Sequence, residues 1–215
     1  MDTIKHHLND GLLMAYSAGT LPEAFNVVVA THISLCDDCR ARMESFDSVG
    51  GAVLEHVDGI DLTESCLTDT LALIAGIAQE IETTTAPQSG VFPEPLREYV
   101  GGDADSVKWK KLGGGVSQCL LETSRDATVR LLHIPAGTAV PDHGHRGTEL
   151  TLVLKGAFLD GDDRFARGDI EIADEDLNHT PIADVGEDCI CLAATDARLK
   201  FNKIIPRIAQ PFIGM

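Results

Sequence analysis

Hydrophobic positions recur at helical spacing through the first 85 residues and then change period. Leu12, Leu13 and Tyr16 share one face of a segment from about Asn9 to Ala18, which Gly19 is placed to end. A second helix follows Thr20 with Pro22 in its first turn, and carries Phe25, Val28, Val29, His32 and Ile33 at helical spacing. A third is predicted from about Asp38 to His56 through Met43, Phe46, Val49 and Val53, with Gly50-Gly51 weakening its middle. In the fourth, LTDTLALIAGIAQEIE, an apolar stripe runs through Leu67, Leu71, Ile74, Ile77 and Ile81. The Thr- and Pro-rich stretch 83–95, TTTAPQSGVFPEP, then reads as an extended connection. Beyond it come short runs rich in apolar and β-branched residues: VSQCLLET, ATVRLLHIP, TELTLVLKG, DIEIA and CICLAAT. Turn signals such as GGG, PAG and DGDD separate them, as in an all-β sandwich or barrel. The expected class is multidomain α + β, with a small helical bundle over 1–85, a linker over 83–95 and a β domain over 96–215.

Charge sharpens this division. The 215 residues carry 34 Asp+Glu against 17 Lys+Arg, a formal net charge of −17. Residues 1–85 hold 14 acidic and 3 basic side chains, a net of −11, whereas 86–215 hold 20 and 14, a net of −6. So acidic a chain lacks the clustered cations that attract nucleic acid or anionic lipid, and is suited instead to a basic protein surface. The N-terminus lacks the cationic start and apolar run of a signal peptide, and no apolar stretch is long enough to span a bilayer. A soluble, cytoplasmic protein is expected. In that compartment six cysteines read as metal ligands or buried thiols rather than disulfides.

Two constellations carry chemistry. His32-Ile-Ser-Leu-Cys36-Asp-Asp-Cys39 is an H-x3-C-x2-C pattern. The i, i+4 spacing of His32 and Cys36 places them on one helical face, and a turn at Asp37-Asp38 brings Cys39 round. Imidazole and thiolate are preferred zinc ligands, and a structural zinc takes four. His6 and His7 are the nearby candidates for the fourth. In a helical unit with a limited core, such a metal would contribute folding energy directly.

The second constellation is Gly137-TAVPD-His143-Gly-His145-RGT-Glu149-LTLVLK-Gly156, which resembles the first cupin motif at each of its fixed positions. Residues i and i+2 of a strand point to one face, so His143 and His145 both face the barrel interior. Gly168-Asp169 followed by His179 keeps the interval of the second cupin motif, although its usual Pro, Gly and Asn fall on Asp174, Asp176 and Ala183. Three histidines and a carboxylate suit zinc, manganese, iron or nickel.

A cupin barrel behind an H-x3-C-x2-C helical unit resembles the ChrR family of zinc-binding anti-sigma factors. The resemblance runs through HHLNDGLLMAYSAGT, VVVATHISLCDDCRAR, VPDHGHRGTELTLVLKGAF, GDIEIADEDLNHTP and CICLAATDA. It implies an N-terminal domain that sequesters an extracytoplasmic-function sigma factor, with zinc held by His7, His32, Cys36 and Cys39. It also implies a double-stranded β-helix domain that binds a second metal, again zinc, through His143, His145, Glu149 and His179. That domain would be dispensable for inhibition and needed for the response to singlet oxygen and organic peroxides.

The sigma-facing surface would draw on Leu12, Leu13, Phe25, Val28, Val29, Leu71 and Ile74, each of which more readily fits the domain's own core. Cys189 and Cys191, two apart on a strand, read as small buried residues rather than a redox pair. The rival reading is a cupin metalloenzyme, dioxygenase-like, with a helical regulatory part. Against it, the residues beside the ligands, Asp142 and Arg146, read as simple neighbours rather than as a convincing general base. A thiol-based zinc-finger transcription factor is disfavoured by the charge.

Overall fold

A computed structural model describes residues 3–76, 90–197 and 200–201. The expected end of the fourth helix (77–82) and the linker residues 83–89 lie outside them. Four helices come first: α1 (Asp10–Ser17), α2 (Glu23–Ile33), α3 (Asp37–Leu54) and α4 (Cys66–Gly76). Asn9 caps α1 by accepting from the Leu12 N–H at 2.9 Å, and α3 runs unbroken through Gly50-Gly51. A fifth helix, α5 (Glu94–Val100), begins inside the stretch expected to be extended. Pro93 and Pro95 fix φ at the entrance of α5, where no N–H is needed, so the prolines start a helix here.

A short 3-10 turn at Ala104–Ser106 leads into the strands. A six-stranded antiparallel sheet contains β1 (Lys110–Gly113), β2 (Val116–Leu121), β3 (Thr128–Ile134), β5 (Glu149–Lys155), β8 (Ile170–Ala173) and β11 (Cys189–Thr195), in the order β1-β2-β3-β11-β5-β8. Two three-stranded sheets close the other side. One is β10 (Ile182–Ala183), β6 (Ala157–Asp160) and β7 (Asp163–Ala166), and the other is β12 (Lys200–Phe201), β4 (His143–Gly144) and β9 (Asn178–His179).

The two faces of the large sheet bury different things. Val116, Leu132, Ile134, Val153, Cys189 and Cys191 join Phe158, Phe165 and Ala183 in one apolar cluster between the sheets. On the opposite face, Leu131, Leu192 and Leu152 stand in cross-strand register, and all three are fully buried. Helix α2 lies against that face, packing on β3, β5 and β11 through an apolar cluster that includes Phe25, Val28 and Val29. Glu23, at the start of α2, accepts from Tyr99 Oη at 3.1 Å and from the Ser124 N–H at 2.6 Å. The helical and β-rich parts therefore share one core. Leu13, Phe25, Val28 and Val29 belong to it, whereas Leu71 and Ile74 of α4 are each 55% exposed.

Candidate functional sites

The first cluster forms where three chain segments meet. His7 lies in the irregular segment before α1, His32 in the last turn of α2, and Cys36 and Cys39 at the start of α3. Cys36 is the N-cap residue of α3 rather than a continuation of α2, but its N–H still bonds the His32 carbonyl at 2.9 Å. In the first turn of α3 the Cys39 N–H donates to Cys36 Sγ at 3.5 Å. One nitrogen or sulfur from each of the four residues lies within 4.8 Å of the other three. His7 Nδ1 is 3.3 Å from Cys36 Sγ and 3.7 Å from Cys39 Sγ. Tetrahedral zinc holds its nitrogen and sulfur ligands about 3.6 Å apart.

The tautomers fit a metal as well. His32 Nδ1 faces the Gly168 carbonyl at 3.0 Å, so it must donate, and Nε2 is left as a bare lone pair. That Nε2 is buried without a hydrogen-bond partner. Burial pushes the His32 pKa down to about 4, so the ring is neutral near pH 7 and ready to ligate. Burial pushes the Cys39 thiol up to about 11, an unfavourable setting for a free thiolate that a cation would reverse. His6, the competing histidine, turns away: its ring packs 4.1 Å from that of Phe165.

The second cluster occupies the barrel. His143 and His145 leave β4 on one side and His179 arrives on β9, with His143 and His179 directly paired across the strands. His143 Nδ1 donates to the Pro141 carbonyl at 2.8 Å, and His179 Nδ1 donates to Asp160 Oδ2 at 2.9 Å. In the neutral rings this leaves each Nε2 as an acceptor, and these two nitrogens are 3.2 Å apart. His145 Nε2 is also 3.2 Å from His179 Nε2. Two acceptors cannot hydrogen-bond one another, while nitrogens around a tetrahedral ion stand about 3.4 Å apart. The cluster fits a cation. Burial pushes both His143 and His145 down to about 4.

Glu149 takes a different place from the three histidine nitrogens. It opens β5, with Oε2 3.9 Å from His145 Nδ1, on the ring edge away from the convergence point. Burial raises it to about 7, with Arg130 as the opposing positive charge. Sequence reasoning missed Asp160 and Glu171. They flank His179 Nδ1 at 2.9 and 3.7 Å and, with it, form a further potential metal cluster. Their ordinary role would be to orient a ligating imidazole. DGDD signalled only the hairpin turn, and nothing in its composition pointed inward. Cys189 and Cys191 are buried thiols outside any disulfide, and their sulfurs share a hydrogen bond at 3.4 Å.

Fold and clusters together define a class: a helical His/Cys unit packed on a cupin-like barrel that carries its own histidine cluster. Residues 98–198 match the family model described as the ChrR cupin-like domain. The chain is 54% identical over 210 residues to the anti-sigma-E factor ChrR of Cereibacter sphaeroides, covering 98% of each protein. It also matches the crystal structure of Rhodobacter sphaeroides SigE in complex with the anti-sigma ChrR, with a TM-score of 0.79 and 54% identity. That match covers 90% of this chain and 99% of the other. The chain belongs to the ChrR family of anti-sigma factors.

Proposed function

We propose that this protein is an anti-sigma factor that sequesters an extracytoplasmic-function sigma factor one-to-one in the cytoplasm and releases it under oxidative, singlet-oxygen-type stress. The observation that carries the reading is the 54% identity, spread over 98% of both chains, to an anti-sigma-E factor. A relative at that identity was solved bound to SigE. Inhibition falls to residues 1–85, joined through 83–95 to a regulatory cupin-like domain over 96–215.

The exposed face of α4 supplies the apolar contact. Leu67, Leu71, Leu73 and Ile74 are 55–71% exposed, more than a packed helix leaves open. The acidic excess of the helical part steers a basic partner toward it.

Zinc is held in the helical part by His7, His32, Cys36 and Cys39, where it locks the crossing of three segments. A second divalent ion, zinc by donor chemistry, is held by His143, His145 and His179; Glu149, expected as the fourth ligand, stands beside His145 Nδ1 and would have to turn inward to join them. Asp160 keeps His179 in its Nε2-ligating tautomer. Metal there supplies a fixed positive charge in a buried cluster, and its loss would be the event communicated to the helices.

Co-expression of the full chain with a sigma factor encoded beside it tests the reading. A 1:1 complex that blocks transcription by the polymerase holoenzyme is expected. Failure to retain any sigma factor, with aerobic turnover of small acidic or dicarbonyl compounds by the iron-loaded protein, would establish a metalloenzyme instead.

A further inference from the structure

The turn that opens β8 reaches out of the barrel into the first metal cluster. Asp169 is 2% exposed, yet its carboxylate serves distant chain. Oδ1 accepts from the Lys5 N–H at 2.6 Å and the His6 N–H at 2.9 Å, while Oδ2 accepts from the Ala166 N–H at 2.8 Å. The neighbours on both sides join in. The Gly168 carbonyl accepts from His32 Nδ1 at 3.0 Å, and the Ile170 N–H donates to the His6 carbonyl at 3.3 Å. Gly168 itself has φ +91°, and a Cβ there would stand 2.6 Å from Ile4 Cδ1. The turn is thus shaped to let the N-terminal segment lie directly on it.

That segment needs an outside hold. Residues 3–9 form neither helix nor strand, so no ladder of their own sets where His7 points. The two N–H groups immediately before His7 end on one buried carboxylate instead. Hydrogen bonds to a carboxylate are short and strong, and two on one oxygen fix the backbone direction at Lys5–His6.

We propose that Asp169 is a positioning residue for the His7–His32–Cys36–Cys39 centre, so that this centre is assembled by both parts of the chain. Asp169 aims His7 Nδ1 at the two sulfurs, and the adjoining Gly168 carbonyl leaves His32 Nε2 as the ligand atom. The inference rests on the reading that these four residues hold a metal. It goes beyond that reading because the residue that sets their geometry lies 130 or more positions further along the chain. The strand that follows the turn continues to Glu171, whose Oε1 is 3.7 Å from His179 Nδ1, so the turn and β8 together reach both clusters.

Cobalt(II) titration of the metal-free full-length protein tests it, with a competing chelator to set the free ion. Thiolate-to-cobalt charge-transfer absorption reports the Cys36–Cys39 centre, and its loss in Cys36→Ser confirms the source. The wild type is expected to show that band, and Asp169→Ala to bind cobalt at this centre about 10–100-fold more weakly with an altered d–d spectrum. Lys5→Pro removes one of the two donors and leaves the turn intact. It should weaken cobalt by about fivefold, the worth of one hydrogen bond. It carries the test alone if circular dichroism shows that Asp169→Ala does not fold. Wild-type cobalt affinity and spectrum in the folded variants overturn the proposal. Absence of the thiolate band in the wild type overturns the metal reading beneath it.

Discussion

Replacing Leu192 by alanine tests whether the helices and the sheet are one cooperative body. Leu192 is the middle of the row Leu131–Leu192–Leu152, on the sheet face that α2 covers, and none of the three is exposed. The substitution removes buried methyl and methylene groups from a site walled by two strands and a helix. Such walls relax little, so the loss should lie mid-range for Leu→Ala, about 3 kcal/mol. For a chain of this length each kcal/mol moves the midpoint by about 2–4 °C, giving a fall of about 6–12 °C. Two probes should be followed in one thermal scan. Far-UV circular dichroism at the helical minimum reports the helices, and Trp109 fluorescence reports the barrel. Because the row belongs to both parts, the two traces should remain superimposed and shift together. A shift confined to the tryptophan signal, with the helical trace left at its wild-type midpoint, would refute a shared core.

Three further outcomes are expected. Charge-introducing changes at Leu71 and Ile74 of α4, such as Leu71→Glu with Ile74→Glu, should weaken sigma-factor binding at least about tenfold by calorimetry. Melting should barely change, because both side chains are largely exposed, and unaltered affinity would remove α4 from the docking face. Burial pushes the Asp103 carboxyl up, but hydrogen bonds from Ala104, Phe92 and Val91 and the Arg97 guanidinium outweigh it and hold the group below the usual carboxylate range. A depressed folded pKa contributes stability above the ordinary carboxylate value that is lost as the pH falls through the folded one. The melting advantage of wild type over Asp103→Asn should therefore be full at pH 7 and shrink below about pH 4, and a constant gap would contradict it. Gly156 has φ +67°, and a Cβ there would lie 2.6 Å from the Asp188 carbonyl oxygen. Gly156→Ala should cost about 1–3 kcal/mol in denaturant unfolding, and a neutral result would show that the backbone can move aside.

Local signals in the sequence carried the elements well where one face was buried and one was wet. They carried less where both faces were covered. All seven residues of β11, CICLAAT, are buried because the barrel lies on one side and α2 on the other. Its near-continuous apolar run marks that double burial, but periodicity alone does not name the second cover. The reverse holds for α4, whose stripe residues Leu67, Leu71 and Ile74 read as core and yet are exposed among the described residues. The His/Cys spacing and the cupin-like spacing were legible because ligand chemistry restricts both residue type and interval. Which of His6 and His7 faces the sulfurs was not legible from spacing. That depends on Phe165, which takes the His6 ring, and on Asp169, which sets the backbone before His7. Asp160 was hidden for a related reason: its partner lies 19 residues away across the barrel.

The converging Nε2 atoms of the barrel histidines have a mechanical consequence. With His143 and His179 committed as donors at their other nitrogens, two lone pairs point at each other across 3.2 Å. A metal ion held between them would turn this opposition into attraction. Removing such an ion would leave two ways to relieve the opposition. Either a proton must enter a site that burial makes reluctant to hold charge, or a ring must swing away and give up its carbonyl or carboxylate anchor. Both alternatives are uphill, so a metal held by these rings would also hold β4 against β9.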